Sequence, residues 1–159
     1  MPVITLPDGS KRQFDQPITA FDVAADIGPG LAKAALAARM NGDLIDLSRV
    51  IEDDVSLALV TAKDDDALAL IRHDCAHVLA EAVLELYPET QVTIGPSIEN
   101  GFYYDFFRET PFSEQDLAEI ETRMHEIVDR DEAITREVWT RDEAVAFYKK
   151  NNEPFKVEL

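Results

Sequence analysis

Ile71-Arg72-His73-Asp74-Cys75-Ala76-His77-Val78-Leu79 decides how the larger part of this chain is read. Around it Leu68, Ile71, Cys75, Val78, Leu79, Ala82 and Leu86 recur at steps of three and four. That spacing predicts a long amphipathic helix with those residues as its apolar face. His73 and His77 then stand one turn apart, roughly 40° around the axis, so both imidazoles leave the helix on one side. Cys75 is two residues from each, roughly 200° around the helix, and reads as a small packed hydrophobe. Two neutral imidazoles side by side can hold a metal or activate a water near neutral pH. A zinc site needs three or four protein ligands, and no second Cys or His cluster is present, so no metal site is expected. The plainer reading, two polar residues on the wet side of a helix, stays open beside the functional one. His125, on a Glu-rich stretch, reads as a solvated side chain.

Upstream, Val3–Leu6 alternates, Pro7-Asp8-Gly9-Ser10 is a turn signal, and Lys11–Phe14 reads as the returning strand. Thr19 is an N-cap candidate for a helix through Ile27, stopped by Gly28-Pro29-Gly30. A second apolar stretch, Leu31–Met40, runs into Asn41-Gly42, which favours a type I′ hairpin with Leu44 and Ile45 on the far arm. Val55–Val60 alternates as a last strand. Hairpin, helix, hairpin and strand in about sixty residues predict a small α+β roll of the β-grasp type. Lys63-Asp64-Asp65-Asp66 marks the boundary, giving domains at 1–62 and 63–159. The three acids suit the first turn of the next helix, where negative charge opposes the helix dipole.

Downstream, Pro88 stops the long helix, Gln91–Ile94 reads as a strand, and Gly95-Pro96 breaks it. Asn100-Gly101 signals a tight turn, and Phe102–Phe107 is a β-prone run in which Tyr103 and Tyr104 face opposite sides. Ser113 with Asp116 forms a capping-box variant for a helix buried through Leu117, Ile120, Met124, Ile127 and Val128. Ile134–Trp139 is expected as a strand, Thr140–Glu143 as the capping box of a last helix through Lys150, and Pro154–Leu159 as the start of an extended segment running on past the last residue. On spacing alone Gly95-Pro96 is an ordinary strand-ending turn and Lys156 a surface cation.

Composition sets the outer limits. The formal charge is −17, from 15 basic and 32 acidic residues in 159. Residues 1–61 carry five basic and nine acidic side chains (net −4), and residues 62–159 carry ten and twenty-three (net −13). Such a surface repels nucleic-acid phosphates on average, so an RNA substrate would be gripped mainly by some other, basic domain. No apolar run nears the roughly 20 residues that span a bilayer, and the first residues lack a secretory signal. One cysteine excludes an internal disulfide and agrees with a cytoplasmic location.

The motifs together carry a resemblance. Arg72–His77, then Ile94-Gly95-Pro96 and Glu99-Asn100-Gly101-Phe102-Tyr103-Tyr104-Asp105-Phe106, closely resemble the editing domain of bacterial threonyl-tRNA synthetases. Leu6-Pro7-Asp8-Gly9, Asp26-Ile27-Gly28 and Val50–Asp54 look like the ubiquitin-like TGS domain that precedes it, and Thr140–Tyr148 and Pro154–Leu159 match downstream. Asp74 departs from the family, which carries a small hydroxyl residue there. The added negative charge is expected to raise the proton affinity of the histidines.

The resemblance implies an α+β fold: a β-grasp domain, then a truncated editing domain with the HxxxH helix packed on an antiparallel sheet. It implies an N-terminal fragment of an enzyme that joins threonine to tRNA, a homodimer using ATP, Mg²⁺ and Zn²⁺ in domains outside these residues, with no cofactor in the fragment itself. It also implies part of a site that hydrolyses mischarged seryl-tRNA, because a single methylene is discriminated by only about 1–3 kcal/mol. In that site His73, His77 and Lys156 match catalytic positions, Tyr104 matches a pocket wall, and Gly95 belongs to the same substrate-binding stretch. The family completes the site with a CxxxH motif that does not occur within these 159 residues. The fragment alone is expected to be inactive in aminoacylation and to engage tRNA through the parent, with no membrane partner. The alternatives are a non-catalytic TGS scaffold module and a free-standing, metal-dependent aminoacyl-tRNA deacylase.

Overall fold

A computed structural model describes residues 1–159 and divides them into two compact units, Met1–Leu68 and Ala69–Leu159. In the first, β1 (Val3–Thr5) and β2 (Lys11–Gln13) form a hairpin, followed by the short strand β3 (Ile18–Thr19) and helix α1 (Ala20–Ile27). A second helix, α2 (Pro29–Ala34), leads into β4 (Ala35–Met40), β5 (Asp43–Ile45), β6 (Val50–Ile51) and β7 (Val55–Thr61). The main sheet has five strands in the order β2-β1-β7-β4-β5. Its central pair, β1 and β7, runs parallel, and the outer pairs are antiparallel. A mixed sheet with a helix between its hairpins is the β-grasp arrangement.

Local chemistry accounts for these elements. Thr19 caps α1 with its hydroxyl accepting from the Asp22 N–H, while the Asp22 carboxylate accepts from the Thr19 N–H at 3.0 Å. Asn41 and Gly42 take the left-handed φ values of 53° and 98° that a type I′ turn requires. Ile4, Ile18, Ala20, Val23, Ala38, Ile51 and Leu57 close the core between α1 and the sheet. The stretch expected as one apolar run from Leu31 to Met40 is divided in two. Pro29 opens α2 at a first-turn position, where its missing N–H costs nothing, and β4 starts only at Ala35.

Helix α3 (Asp65–Leu86) follows, with Asp65 and Asp66 in its first turn as the dipole argument requires. The units divide between Leu68 and Ala69, inside this helix. The second unit continues with β8 (Gln91–Val92), β9 (Ser97–Ile98), β10 (Gly101–Phe102), β11 (Phe106–Phe107), α4 (Glu114–Asp129), α5 (Arg141–Lys150) and α6 (Pro154–Glu158). Its core joins Ala82 and Val83 of α3 to Ile120 of α4, with Leu79, Leu86, Phe106, Phe112, Met124 and Ile127 around them. Both expected capping boxes form, Ser113 with Asp116 and Thr140 with Glu143.

Five expectations need correcting here, the first being the burial of Leu117 and Val128 on α4, both of which are exposed. Leu68 and Ile71 are exposed; of the expected face Ala82 is buried with Leu79 and Leu86 packed beside it, and α3 also buries Ala76, Ala80 and Val83 from outside that face, so the helix turns its small residues inward. Phe102–Phe107 is not one strand, because the chain changes partner: β10 pairs with β9, and β11 with β8. Ile134–Trp139 joins no strand, and Ile134 is fully exposed, since no neighbouring strand offers it a ladder. Pro154–Glu158 is helical, because the fixed φ of Pro154 suits a first helical position as well as an extended one.

An ion cluster fastens α4 to α3. Arg130 reaches both carboxylate oxygens of Glu85, at 2.6 and 2.8 Å, and Arg123 adds a third bond at 2.8 Å. These hydrogen bonds hold the Glu85 carboxyl down to about 2, against an ordinary value of 4.5. A depressed carboxylate stabilises the fold above its unfolded pKa, and that contribution is lost as pH falls through the folded value. Glu85→Gln is therefore expected to lower the urea midpoint near neutral pH. The gap from wild type should close as pH drops from about 4.5 toward about 2. In the first unit, Leu57 is 1% exposed, and Leu57→Ala is expected to cost about 2–5 kcal/mol in urea denaturation.

Candidate functional site

The histidine pair forms as the spacing requires. On α3 the His73 and His77 Nε2 atoms are 3.0 Å apart, and the rings meet edge to face with centroids at 4.6 Å. Only one of two Nε2 atoms at that distance can carry the shared proton, so the neutral pair comprises one donor and one acceptor. Both side chains lie on open surface. A hollow of about 620 Å³ exists elsewhere in this unit, lined by Tyr87, Thr90, Gln91, Phe107 and Arg108 among others, and does not reach the histidines.

Burial is the largest effect on His77 and pushes its pKa below the ordinary 6.5, helped by the charge of His73 and, from α6, of Lys156. Asp74 pulls the other way, as expected for a carboxylate, but is outweighed. Asp74 thus raises the proton affinity of this imidazole as its charge leads one to expect, and the burial of His77 decides the net sign. A neutral His77 at physiological pH offers one N–H donor and one acceptor nitrogen, one of which is engaged with His73.

Lys156 is held in place. Its Nζ donates to the Thr93 carbonyl at 2.6 Å in a half-buried setting, across 63 residues of sequence. Thr93 continues the β8–β11 pairing irregularly: its N–H and its hydroxyl both donate to the Asp105 carbonyl, and the Asp105 N–H donates to Ile94 O at 3.1 Å. The chain then passes Gly95. A Cβ there would collide with the Tyr104 ring, so glycine is what lets that ring close down on the backbone. Tyr104 also stacks on Phe106, with centroids 4.9 Å apart and planes 20° from parallel. Tyr103 is 47% exposed, whereas Tyr104 is half-buried, so the two tyrosines do face differently.

Cys75 is a half-buried free thiol. Nowhere do three or more His, Cys, Asp or Glu side chains gather so as to hold a metal. No helix is long and apolar enough to cross a membrane. Two features of this region escaped the sequence. Thr93 offers Lys156 a backbone carbonyl, which no residue type announces. Arg72 spans 26 and 27 residues to reach the carbonyls of Ile98 and Glu99, at 3.2 and 2.6 Å. An arginine next to a histidine gives no local hint of such a reach.

Residues 2–61 match the TGS domain family, so the first unit is a TGS domain of the ubiquitin-like β-grasp class. All 159 residues align with threonine–tRNA ligases: 66% identical to that of Paramagnetospirillum magneticum, 62% to that of Gluconacetobacter diazotrophicus, and 60% to that of Rhodospirillum rubrum. Each alignment covers 100% of this chain and 25% of the relative, so the chain spans about a quarter of the length of the curated relatives it matches. Along its whole length the chain is similar in sequence to the N-terminal regions of bacterial threonine–tRNA ligases.

The effect of Lys156 on His77 can be checked directly. Lys156→Gln removes a positive charge that disfavours imidazolium, so the His77 titration followed by NMR is expected to move toward higher pH. A midpoint that stays in place would mean the ammonium is too far or too well screened to act.

Proposed function

We propose that this chain is the N-terminal part of a threonine–tRNA ligase, and that its second unit contributes part of a site hydrolysing serine wrongly esterified to tRNA. The observation that carries this reading is the His73–His77 pair at 3.0 Å on an accessible helix face, in a chain matching those ligases along its whole length. The parent joins threonine to tRNA with ATP and Mg²⁺. It needs a second site because serine lacks only one methyl group, a difference worth about 1–3 kcal/mol in binding.

Hydrolysis of an aminoacyl ester needs a base for water and a means of orienting the ester. His73 takes the proton of the attacking water, whose oxygen bonds to the carbonyl carbon as the ribose oxygen departs and is protonated. His77, kept neutral by burial, hydrogen-bonds the terminal ribose or the amino group of the seryl ester. Lys156, tethered to the Thr93 carbonyl, places positive charge beside the pair and helps to orient the water. Tyr104, lying close over Gly95, forms the wall against which the substrate is seated. With a net charge of −17, these residues leave the tRNA phosphates to other parts of the enzyme. The ATP, magnesium, zinc and dimer contacts belong to those parts as well.

A free-standing metal-dependent deacylase is less well supported, since it would need further ligands close to the histidine pair. A scaffold without chemistry is the second reading, favoured by the position of the pair on open surface rather than in a closed cleft. One comparison separates the two. His73→Ala in the full-length ligase is expected to lower seryl-tRNA deacylation about 10²–10⁴-fold while threonine charging continues. Deacylation at the wild-type rate would leave only the scaffold reading.

A further inference from the structure

Arg72 precedes His73 on α3, and its guanidinium leaves the helix toward the β9–β10 hairpin. There Nη1 donates to Glu99 O at 2.6 Å and to Ile98 O at 3.2 Å. Ile98 ends β9 and Glu99 begins the turn, so the grip is at the hairpin tip. Each arm contributes only two residues to the ladder, Ser97 opposite Phe102 and Ile98 opposite Gly101. Ser97 and Ile98 are both exposed, and Gly101 and Phe102 are only half-buried. A ladder this short, with so little of it buried, does not hold its own position. It must be fastened from outside, and Arg72 does so with one nitrogen on two carbonyls.

What the hairpin carries makes the fastening consequential. One arm emerges from Gly95-Pro96, and the other runs on into Tyr103 and Tyr104. The Tyr103 N–H donates to Pro96 O at 3.4 Å, and the Tyr104 ring sits against Gly95. The two arms thus close again at the pocket wall. Any swing of the hairpin relative to α3 would move that wall relative to the two imidazoles. Arg72 and His73 are adjacent on one rigid helix, so the same backbone that aims the imidazole also anchors the wall.

We propose that Arg72 is a positioning residue for the hydrolytic site: by holding the Ile98 and Glu99 carbonyls, it fixes the Gly95–Tyr104 wall at a set distance from His73 and His77. This rests on the hydrolytic reading above. Arg72 touches neither the ester nor the water. Its work is to keep a substrate seated against Tyr104 in line with the activated water, where a misplacement of about 1 Å can cost on the order of a hundredfold in rate.

The test uses the full-length ligase with Arg72→Ala, Arg72→Lys and His73→Ala. Deacylation of seryl-tRNA is measured across pH, together with amide hydrogen exchange at Gly101–Tyr103. For Arg72→Ala we expect kcat to fall about tenfold to a hundredfold, KM to change much less, and hairpin amides to exchange faster while α3 amides do not. The pH midpoint should stay where it is in the wild type, since Arg72 acts through position and not through the charge of the histidines. Arg72→Lys keeps the charge and a single donating nitrogen but on a shorter, differently shaped head group, so its kcat should fall between those of the wild type and Arg72→Ala, and it guards against a misfolded alanine variant. An unchanged kcat in both Arg72 variants, with His73→Ala inactive, would overturn the positioning role and leave the hydrolytic reading standing. A kcat loss accompanied by a moved pH midpoint, or by unchanged hairpin exchange, would also overturn it. Full activity in His73→Ala would instead remove the reading on which the inference rests.

Discussion

The rotation of one helix about its own axis governs the second unit. Ala76, Ala80 and Val83 define the inward line of α3. From Ala76, His73 lies roughly 60° around the helix and His77 roughly 100°. The histidines therefore leave the helix at the border of its buried side. That border position explains two observations that would otherwise conflict. The rings are accessible, yet burial is the largest effect on the His77 pKa. Turning α3 outward would solvate His77 and return it toward ordinary histidine behaviour; turning it inward would close the face to any ligand.

Around that helix the unit is assembled from small pieces tied by polar contacts. Its two ladders contain two strands each, with two residues per strand, and its apolar core is limited to the contact of α3 with α4 and a few aromatic rings. The ties are specific: Glu85 between Arg123 and Arg130, Lys156 on Thr93, and Arg72 on Ile98 and Glu99. The TGS unit is built differently, with a five-stranded sheet and a continuous apolar core beneath α1. In the first unit hydrophobic burial dominates. In the second, charge-assisted hydrogen bonds to carboxylates and carbonyls set the position of the candidate site.

Where the sequence was read correctly, the determinants were local. Thr19, Ser113 and Thr140 each name a helix start because the acceptor and the N–H it caps lie three residues apart. Asn41-Gly42 names its turn because few residues adopt the required φ. Where the structure departs from the sequence pattern, the outcome depends on a distant neighbour. Ile134–Trp139 has a strand-like composition, but a strand is stabilised only by the chain beside it. Phe102–Phe107 has the composition of one continuous strand, and nothing at Tyr103-Tyr104-Asp105 announces the change of partner. Leu68 and Ile71 fit the helical period and are nonetheless exposed, because periodicity ranks large side chains above the alanines that allow close approach.

The sequence by itself determined the β-grasp order of the first unit and the placing of both imidazoles on one side of one helix. Both follow from short-range stereochemistry: strand alternation, turn φ values and the 3.6-residue helical repeat. Only the tertiary structure decided how that helix is rotated into its unit, the 3.0 Å approach of the two rings, the downward shift of His77, and the capture of Lys156 and the 97–102 hairpin by backbone carbonyls. Burial and long-range hydrogen bonding depend on which distant residues arrive, and a carbonyl looks the same at every position in the chain.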